Sequence, residues 1–179
     1  EKGNLYSAGV TNHFVGNLFS GTYPATAGAF QTTYGGIYDI GILKYDSVGQ
    51  TLLYASYLGG ANSESPHSLV VNHRSELIVL GTTSSSNFPT TECAHDRSFK
   101  GGSFAGHVVD YDYGSDIVIT RISPDGKTML ASTYLGGSEN DGLNMTGLAV
   151  NYGDELRGDV ITDTEGFIYI SSITQSQEI

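Results

Sequence analysis

The sequence predicts an all-β fold, and two observations carry that prediction. Valine, isoleucine, leucine, tyrosine and threonine dominate short stretches bounded by glycine, asparagine, aspartate and serine, which is typical of strands joined by turns. In addition, no window sustains a helical apolar period over the roughly ten residues that a helix needs. We therefore expect strands throughout, with at most a short helical turn in the segments AGAF and CAHD.

A 22-residue block that occurs twice organises the chain. Residues 39–60 read DIGILKYDSVGQTLLYASYLGG, and residues 116–137 read DIVITRISPDGKTMLASTYLGG. The two blocks align without a gap at an offset of 77 residues, and 10 of their 22 positions are identical. Such internal repetition indicates a repeat architecture. The identical positions in the first block are Asp39, Ile40, Ile42, Gly49, Thr51, Leu53, Tyr57, Leu58, Gly59 and Gly60.

A second, shorter block occurs three times, as LYSAGVT at 5–11, LIVLGTT at 77–83 and IYISSIT at 168–174. Together the blocks predict four strands per unit, and the strand NLYSAGVT remains from a preceding unit. Tight turns are predicted at 46–49 and 123–126, each closed by a glycine. The predicted strands are DIGILKY, TLLYASYL, HSLVVN and ELIVLGTT in the first unit, and DIVITRI, TMLASTYL, GDVITD and FIYISSIT in the second.

Repeated four-stranded units predict a segment of a β-propeller, whose blades are four-stranded antiparallel sheets. The chain accounts for about two blades plus one strand, whereas a closed propeller typically needs four to eight blades. We therefore expect further parts of a longer polypeptide, or other copies of the chain, to complete the ring. The predicted parts are 1–38 (end of a preceding blade and connecting loop), 39–83 (first complete blade unit), 84–115 (inter-blade connection with an insertion) and 116–179 (second blade unit, with an insertion at 138–157).

The recurring motifs resemble the SBBP repeat of bacterial seven-bladed β-propellers. The run GAFQTTYGG at 28–36 precedes the first unit, DIGILK at 39–44 has the form of that family's leading strand, and ASYLGG at 55–60 has the form of its strand end. The segment IVLGTTSSSNFPT at 78–90 completes the set. The same pattern returns at 116–121, 132–137 and 168–175. The resemblance implies a propeller fold.

A narrower resemblance concerns the setting of the protein. The segment 138–172 resembles an insertion found in large gliding-motility-associated bacterial surface proteins. Those proteins are secreted, have several domains and are often adhesive, so the resemblance implies an extracellular location at the bacterial cell surface. Two positions depart from the repeat pattern, because Cys93 stands where small residues are usual and Ser172 replaces the glycine found at Gly9 and Gly81.

Composition excludes several classes of function. Eight Lys and Arg residues face 19 Asp and Glu residues, which gives a net charge of −11. Such a field repels phosphate backbones, so nucleic-acid binding is excluded. The single cysteine, Cys93, forms neither an internal disulfide nor a zinc cluster. No apolar run approaches the roughly 20 residues of a transmembrane helix, so we expect no membrane insertion.

Motifs for catalysis are missing. The run GGSFA at 101–105 lacks the last glycine of the nucleophile motif G-x-S-x-G, and no phosphate-binding loop occurs. The acidic loop 110–116 has oxygen ligands at alternate positions, as calcium loops do, but lacks their bidentate glutamate. We therefore expect no catalytic residue, no cofactor and no metal ion. The histidines, which have no metal-ligand spacing, are His13, His67, His73, His95 and His107.

Residues present in only one copy of the repeat are the predicted contact sites. The insertions at 15–21, 102–115 and 139–157 cannot belong to a core that both units share, so we expect them to project from the propeller faces or edge. By contrast, the framework residues Tyr57, Leu58, Tyr134 and Leu135 should be largely buried at equivalent places. The candidates for contact with a ligand or partner are Asp110, Tyr111, Asp112, Tyr113, Asn151 and Tyr152.

The sequence thus predicts a non-catalytic extracellular module of a secreted bacterial cell-surface protein, acting as a scaffold, adhesin or protein-interaction domain. Its expected partners are other domains of the same polypeptide, other copies that complete the ring, and surface or secretion-machinery proteins. Tyrosines in the insertions leave a carbohydrate-binding propeller as the alternative, because aromatic faces stack on sugars. A glycan-active enzyme is a more distant alternative.

Overall fold

A computed structural model of the protein describes residues 3–12, 23–106, 109–144 and 158–179. Every regular element within these ranges is a β-strand, which confirms the all-β class. The strands are β1 (Leu5–Asn12), β2 (Tyr38–Tyr45), β3 (Leu52–Leu58), β4 (Glu64–Val71), β5 (Leu77–Thr83), β6 (Ala105–Gly106), β7 (Asp110–Tyr111), β8 (Asp116–Ile122), β9 (Met129–Leu135), β10 (Asp159–Thr162) and β11 (Ile168–Ser171).

The long strands form three antiparallel sheets in chain order. The first sheet contains β1, β2 and β3, the second contains β4, β5, β8 and β9, and the third contains β10 and β11. The short strands β6 and β7 pair as a separate hairpin. In the second sheet, Leu77 of β5 lies opposite Ile122 of β8. None of the sheets among the described residues closes on itself.

The second sheet lies between the other two, and the alternation of side chains along β5 explains how. Leu77 and Val79 belong to the largest core cluster, which joins the second sheet to the first. Their neighbours Ile78 and Leu80 point to the opposite face and pack with Val160 of β10. Because successive side chains of a strand point to opposite faces, a strand covered on both sides is buried throughout. All 7 residues of β5 are accordingly buried.

The sheets do not coincide with the sequence units. All the predicted strands are present, but β2 and β3 of the unit 39–83 belong to the first sheet, whereas β4 and β5 of the same unit belong to the second. The second sheet therefore combines the second half of one unit with the first half of the next. The physical reason is the short link between β3 and β4, which carries the chain from one layer to the next instead of closing a hairpin.

The two turns predicted for the hairpins β2–β3 and β8–β9 are present. The Gly49 N–H donates to the Asp46 carbonyl at 3.0 Å, and the Gly126 N–H donates to the Ser123 carbonyl at 2.9 Å. Both glycines have a positive φ, of 72° and 71°. Gly126 is required for a second reason, because a Cβ there would lie 2.5 Å from a ring carbon of Tyr54. The second hairpin therefore packs directly against a ring of the first sheet.

The repeated tyrosine–leucine pairs occupy equivalent places, as expected. Tyr57 lies opposite Gly41 in the first sheet, and Tyr134 lies opposite Val118 in the second. Leu58 and Tyr134 are fully buried. The predicted burial is wrong for Tyr57 and Leu135, which are only half-buried. The two pairs differ in burial because β3 and β9 are covered by different neighbouring sheets.

The insertion 102–115 stays outside the cores that the repeated strands form, but part of it is buried in a small cluster instead of projecting into solvent. Ala105, Val109 and Tyr111 are buried together with Leu143 of the second insertion, in a cluster that packs against Tyr38. This cluster is separate from the cores that the repeated strands form. Apolar insertion residues have thus built a small core of their own, since burying them removes their surface from water. The insertion 15–21 lies outside the described residues.

Candidate functional site

The structure separates the predicted contact residues into two groups. Asp110, Asp112 and Tyr113 are exposed, with 62% of Tyr113 accessible to solvent. Tyr111 is buried, with 1% of its surface accessible. Asn151 and Tyr152 lie outside the described residues. Among the described candidates, only Asp110, Asp112 and Tyr113 are placed to meet a partner.

Tyr111 serves the interior of the protein. Its hydroxyl lies 2.5 Å from Ser65 Oγ and 2.8 Å from Thr82 Oγ1, both of which are buried in the second sheet. Burial raises the pKa of Tyr111 to about 12. The hydroxyl therefore stays protonated and fastens the β6–β7 hairpin to the sheet, which removes this residue from the contact surface.

The acidic loop 110–116 does not gather its carboxylates. Asp110 and Asp112 are exposed, whereas Asp116 is buried and turns towards the chain before the loop. The Asp116 carboxylate accepts the N–H groups of Lys100 at 2.8 Å and Gly101 at 2.9 Å. The Asp116 side chain is thus held by hydrogen bonds from the backbone of the preceding segment.

The most organised polar site is a corner that occurs once in each copy of the repeat. The first corner consists of Glu64, Asp39 and the glycine pair that follows β3. Glu64 Oε2 accepts the Gly60 N–H at 2.9 Å, and Glu64 Oε1 accepts the hydroxyls of Thr83 and Ser85, each at 2.5 Å. The carboxylate thus ties the end of the first sheet to two strands of the second.

Asp39 shares the first corner with Glu64. Its Oδ2 accepts the Gly35 N–H at 2.8 Å, while its Oδ1 has no hydrogen-bond partner among the described residues. A Cβ at Gly59 would lie 2.4 Å from Glu64 Oε2 and 2.6 Å from Asp39 Oδ1. Only glycine leaves room for the two carboxyl groups, which explains the glycine at the strand end.

The second corner repeats this arrangement with different acids. Asp141 Oδ2 accepts the Gly137 N–H at 2.7 Å and the Ser176 hydroxyl at 2.9 Å, and Asp141 Oδ1 accepts the Thr174 hydroxyl at 2.5 Å. Asp116 takes the place of Asp39, and a Cβ at Gly136 would again lie within 3 Å of both carboxylates. This corner ties the end of the second sheet to the segment that follows β11.

Burial sets the protonation of these carboxyl groups. It raises the pKa of Glu64 to about 7, although three donors favour the charged form, and the nearby Asp39 charge adds to the increase. Burial likewise raises the pKa of Asp39 and of Asp116 to about 6 each, and for Asp116 the charge of Asp141 contributes. The corners can therefore hold protons near neutral pH, and their chemistry otherwise consists of accepting hydrogen bonds from the framework.

Sequence reasoning identified Asp39 and Asp116 as repeated strand residues but missed their partners. Glu64 and Asp141 are 77 residues apart, the same offset as the repeated block, so the signal was available. It was hidden because one is a glutamate and the other an aspartate. The threonine and serine of each corner stand two residues apart, at 83–85 and 174–176.

A cleft of about 920 Å³ opens beside the hairpin turns of β2–β3 and β8–β9. The buried Lys44 lines it and donates from Nζ to the Pro124 carbonyl at 2.6 Å. The same Nζ lies 5.1 Å from the centre of the Tyr6 ring and 5.6 Å from that of Tyr54. The Tyr54 hydroxyl is buried and has no hydrogen-bond partner within the described ranges. The lining of the cleft thus combines the partly exposed ring of Tyr6 with charged side chains of both signs.

Comparison with protein-family models finds no match for this chain, and comparison with curated proteins finds none either. No helix among the described residues is long and apolar enough to cross a lipid bilayer. The same residues contain no group of three or more His, Cys, Asp or Glu side chains that could hold a metal ion. The repeated strands, the two corners and the cleft are therefore the features of the molecule that bear on its function.

Proposed function

We propose that this chain is a β-propeller-type repeat module of a secreted bacterial cell-surface protein, acting without catalysis as a scaffold or protein-interaction domain. The observation that carries the proposal is the repetition of the buried corner at the 77-residue spacing of the sequence units. Each corner ties one sheet to the next layer. A repeated tie between successive layers is what a stack of identical structural units requires.

The chemistry of the corners supports a structural role for their carboxylates. Glu64 and Asp141 each accept one backbone N–H and two hydroxyls of the framework. A general acid or base needs contact with a substrate, and these two groups are fully buried. The exposed acidic and aromatic residues of the insertion, Asp110, Asp112 and Tyr113, are better placed to meet a protein partner.

The proposed location rests on the resemblance to secreted surface proteins together with composition. The chain carries a net charge of −11, so copies of the chain repel one another. Its single cysteine forms no disulfide within the chain, so folding does not depend on an oxidising compartment. Antibody labelling of intact cells that produce the protein tests the location. We expect labelling without permeabilisation, and labelling that needs permeabilisation would overturn the surface assignment.

The architecture is tested by electron cryo-microscopy of the native polypeptide. We expect four-stranded sheets arranged radially around an axis, with the region of residues 3–179 contributing successive layers of that ring. A linear stack of sheets without an axis would overturn the propeller part of the proposal. Surface labelling would in that case still decide the location separately.

Saccharide binding in the cleft is the second candidate function. The cleft offers the partly exposed ring of Tyr6, and its lining charges balance, because it contains Lys44 and Lys127 as well as Asp46 and Asp125. Aromatic walls with donors and acceptors and no excess charge suit a neutral sugar with many hydroxyl groups.

Calorimetric titration with a panel of neutral oligosaccharides tests this candidate. Tyr6→Ala removes the ring on which a sugar would stack, so we expect it to weaken binding about fivefold. The control is Tyr45→Ala, which removes a ring outside the cleft. A wild-type protein that binds no member of the panel, or equal binding by both variants, would rule out the cleft as a saccharide site.

A further inference from the structure

An open groove of about 400 Å³ lies on the face of the second sheet that points towards the third. Its floor is formed by β8 and β9, through Ile119, Arg121, Ala131 and Leu135. Ile168 of β11 stands at its border. The third sheet contains only two strands among the described residues, so it covers β4 and β5 but leaves this half of the face half-exposed.

The internal repeat supplies a covered copy of the same face. At an offset of 77 residues, the four floor positions correspond to Ile42, Lys44, Tyr54 and Leu58 of β2 and β3. These four are buried, with 0–6% of their surfaces accessible. Their counterparts on the groove floor are all only partly buried. The same face of the repeat is thus covered in the first sheet and partly exposed in the second sheet.

The cover in the first copy is the β8–β9 hairpin. Val118, Ile122 and Tyr134 of this hairpin share a core cluster with Ile42 and other residues of the first sheet. The Phe30 N–H donates to the Gly126 carbonyl in the hairpin turn at 3.0 Å. The covering element is therefore a hairpin of the repeat itself, held by apolar packing and by hydrogen bonds at its turn.

Arg121 marks the same interface on the open side. Its counterpart Lys44 donates to the Pro124 carbonyl of the covering turn at 2.6 Å. Arg121 Nε is buried without a hydrogen-bond partner among the described residues, and its ion-pair partner Glu76 Oε2 lies 3.7 Å away, beyond hydrogen-bond distance. A buried guanidinium N–H that lacks an acceptor is costly. A turn carbonyl placed as Pro124 is placed over Lys44 would satisfy it.

The edge of β11 points to the same missing element. β11 corresponds to β5 in the repeated block, and β5 is paired on one side with β4 and on the other with β8. Within the described ranges β11 pairs only with β10. An unpaired strand edge offers a row of backbone donors and acceptors to another strand. The groove floor and the edge of β11 therefore border the place that one hairpin would fill.

We propose that this groove and the edge of β11 form the docking site for a β-hairpin of a further repeat unit, of the same type as β8–β9. The proposal rests on the proposed propeller-type function and names its partner surface. The first strand of the hairpin pairs with β11, its apolar face covers Ile119 and Leu135, and its turn accepts from Arg121. His95 corresponds to Phe30, because the next residues, Asp96 and Gln31, accept the equivalent N–H groups of Tyr134 and Tyr57. The His95 N–H therefore donates to the turn glycine of the docked hairpin.

A fusion tests the docking site within the full chain. A second copy of residues 89–137 is joined after Ile179, because Ile179 corresponds to Phe88 and the natural connection to the hairpin is then reproduced. The chain has no tryptophan, so Ala131→Trp places a single fluorescent reporter on the groove floor, where the covered copy has Tyr54. The tether keeps the effective concentration of the hairpin high.

We expect the fusion to shift the emission of the Ala131→Trp reporter to shorter wavelength and to lower its quenching by acrylamide about fivefold, because the indole leaves water. Backbone amides of Ile168–Ser171 should exchange more slowly in the fusion. The control reporter is Val48→Trp on an exposed turn, where quenching should stay unchanged. The control fusion carries Val118→Asp and Ile122→Asp in the appended copy and should protect neither site.

Quenching of the Ala131→Trp reporter that is equal in the parent chain and in the fusion would overturn the proposal. So would a reporter that is already protected in the parent chain, since the groove would then not be open. The outcome is separable from that of the proposed function. A native polypeptide without a ring would leave the protection in the fusion unaffected, whereas a ring without protection would overturn the docking site alone.

Discussion

The first and second corners contain equivalent hydrogen bonds but differ in how deeply these bonds are buried. Glu64 holds the hydroxyls of Thr83 and Ser85, and all three residues are fully buried. Asp141 holds the equivalent hydroxyls, but there Thr174 is exposed and Ser176 is half-buried. The difference teaches that the local sequence determines the hydrogen bonds of a corner, while the neighbouring layer determines how dry the corner is.

The two corners bind the same types of donor with acids of different length. Glu64 of β4 accepts from the Gly60 N–H, from Thr83 of the adjacent strand β5 and from Ser85, and the shorter Asp141 accepts from a glycine, a threonine and a serine as well. The hydroxyls of the second corner come from a longer sequence separation, because the insertion 138–157 intervenes. The repeat thus preserves a set of donors around a carboxylate although the acid itself changes.

The largest expected effect distinguishes the covered face of the first sheet from the open face of the second sheet. Leu58→Ala should lower the free energy of unfolding by about 4 kcal/mol, because Leu58 is fully buried between two sheets. Leu135→Ala, at the equivalent position, should cost about 2 kcal/mol, because Leu135 is half-buried beside the groove. Urea unfolding measures both. Equal losses would contradict the difference between the two copies.

The next effect compares the corners directly. Glu64→Ala leaves the Gly60 N–H and two buried hydroxyls without an acceptor, and should cost about 3 kcal/mol. Asp141→Ala should cost less, about 1–2 kcal/mol, because water reaches Thr174. Thermal unfolding of the two variants measures the difference. A larger loss for Asp141→Ala would show that burial does not govern the strength of a corner.

A pH dependence of stability follows from the raised pKa values of Glu64, Asp39 and Asp116. Between the ordinary carboxyl pKa of about 4 and the folded values of about 6 to 7, the folded state binds more protons than the unfolded chain. The stability that these three groups contribute is therefore full below about pH 4 and is lost as the pH rises through about 6 to 7. Burial lowers the pKa of His67 to about 4, so the contribution of His67 has the opposite sign and rises with pH over the same range.

Glu64→Gln sharpens this prediction, because an amide keeps the size of the side chain and does not titrate. The stability of the variant relative to that of the wild type should therefore increase between pH 5 and 7 when unfolding midpoints are measured across the range. Glu139→Gln is the control, since Glu139 is exposed. A difference between Glu64→Gln and the wild type that does not change with pH through this window would contradict the raised pKa of Glu64.

The smallest expected effect concerns the separate core of the insertions. Tyr111→Phe removes one hydroxyl and should cost about 1 kcal/mol, since Ser65 Oγ and Thr82 Oγ1 remain 3.3 Å apart and can bond to each other. Deletion of residues 102–115 should cost more, because it removes the buried Ala105, Val109 and Tyr111 together. A deletion variant as stable as the wild type would show that this core contributes nothing.

The sequence predicted the strands because their apolar alternation and their turns are local properties. The turn glycines Gly49 and Gly126 and the paired positions Tyr57 and Tyr134 could be placed for that reason. It did not predict which strands share a sheet, because a repeat looks the same wherever its unit is taken to begin. Nor did it predict the burial of Tyr111, which depends on Ser65 and Thr82, 46 and 29 residues away.

The half-unit offset between sequence units and sheets has a mechanical consequence. The chain passes from the first layer to the second in the middle of the unit 39–83, through the glycine link that Glu64 holds. Pulling the layers apart therefore loads covalent backbone as well as the apolar contacts between sheets. A protease that cuts between two sequence units at residues 84–115 breaks the covalent link between β5 and β8, but the two strands still pair within one sheet. The offset therefore couples neighbouring sequence units in two ways, through continuous backbone and through a shared sheet.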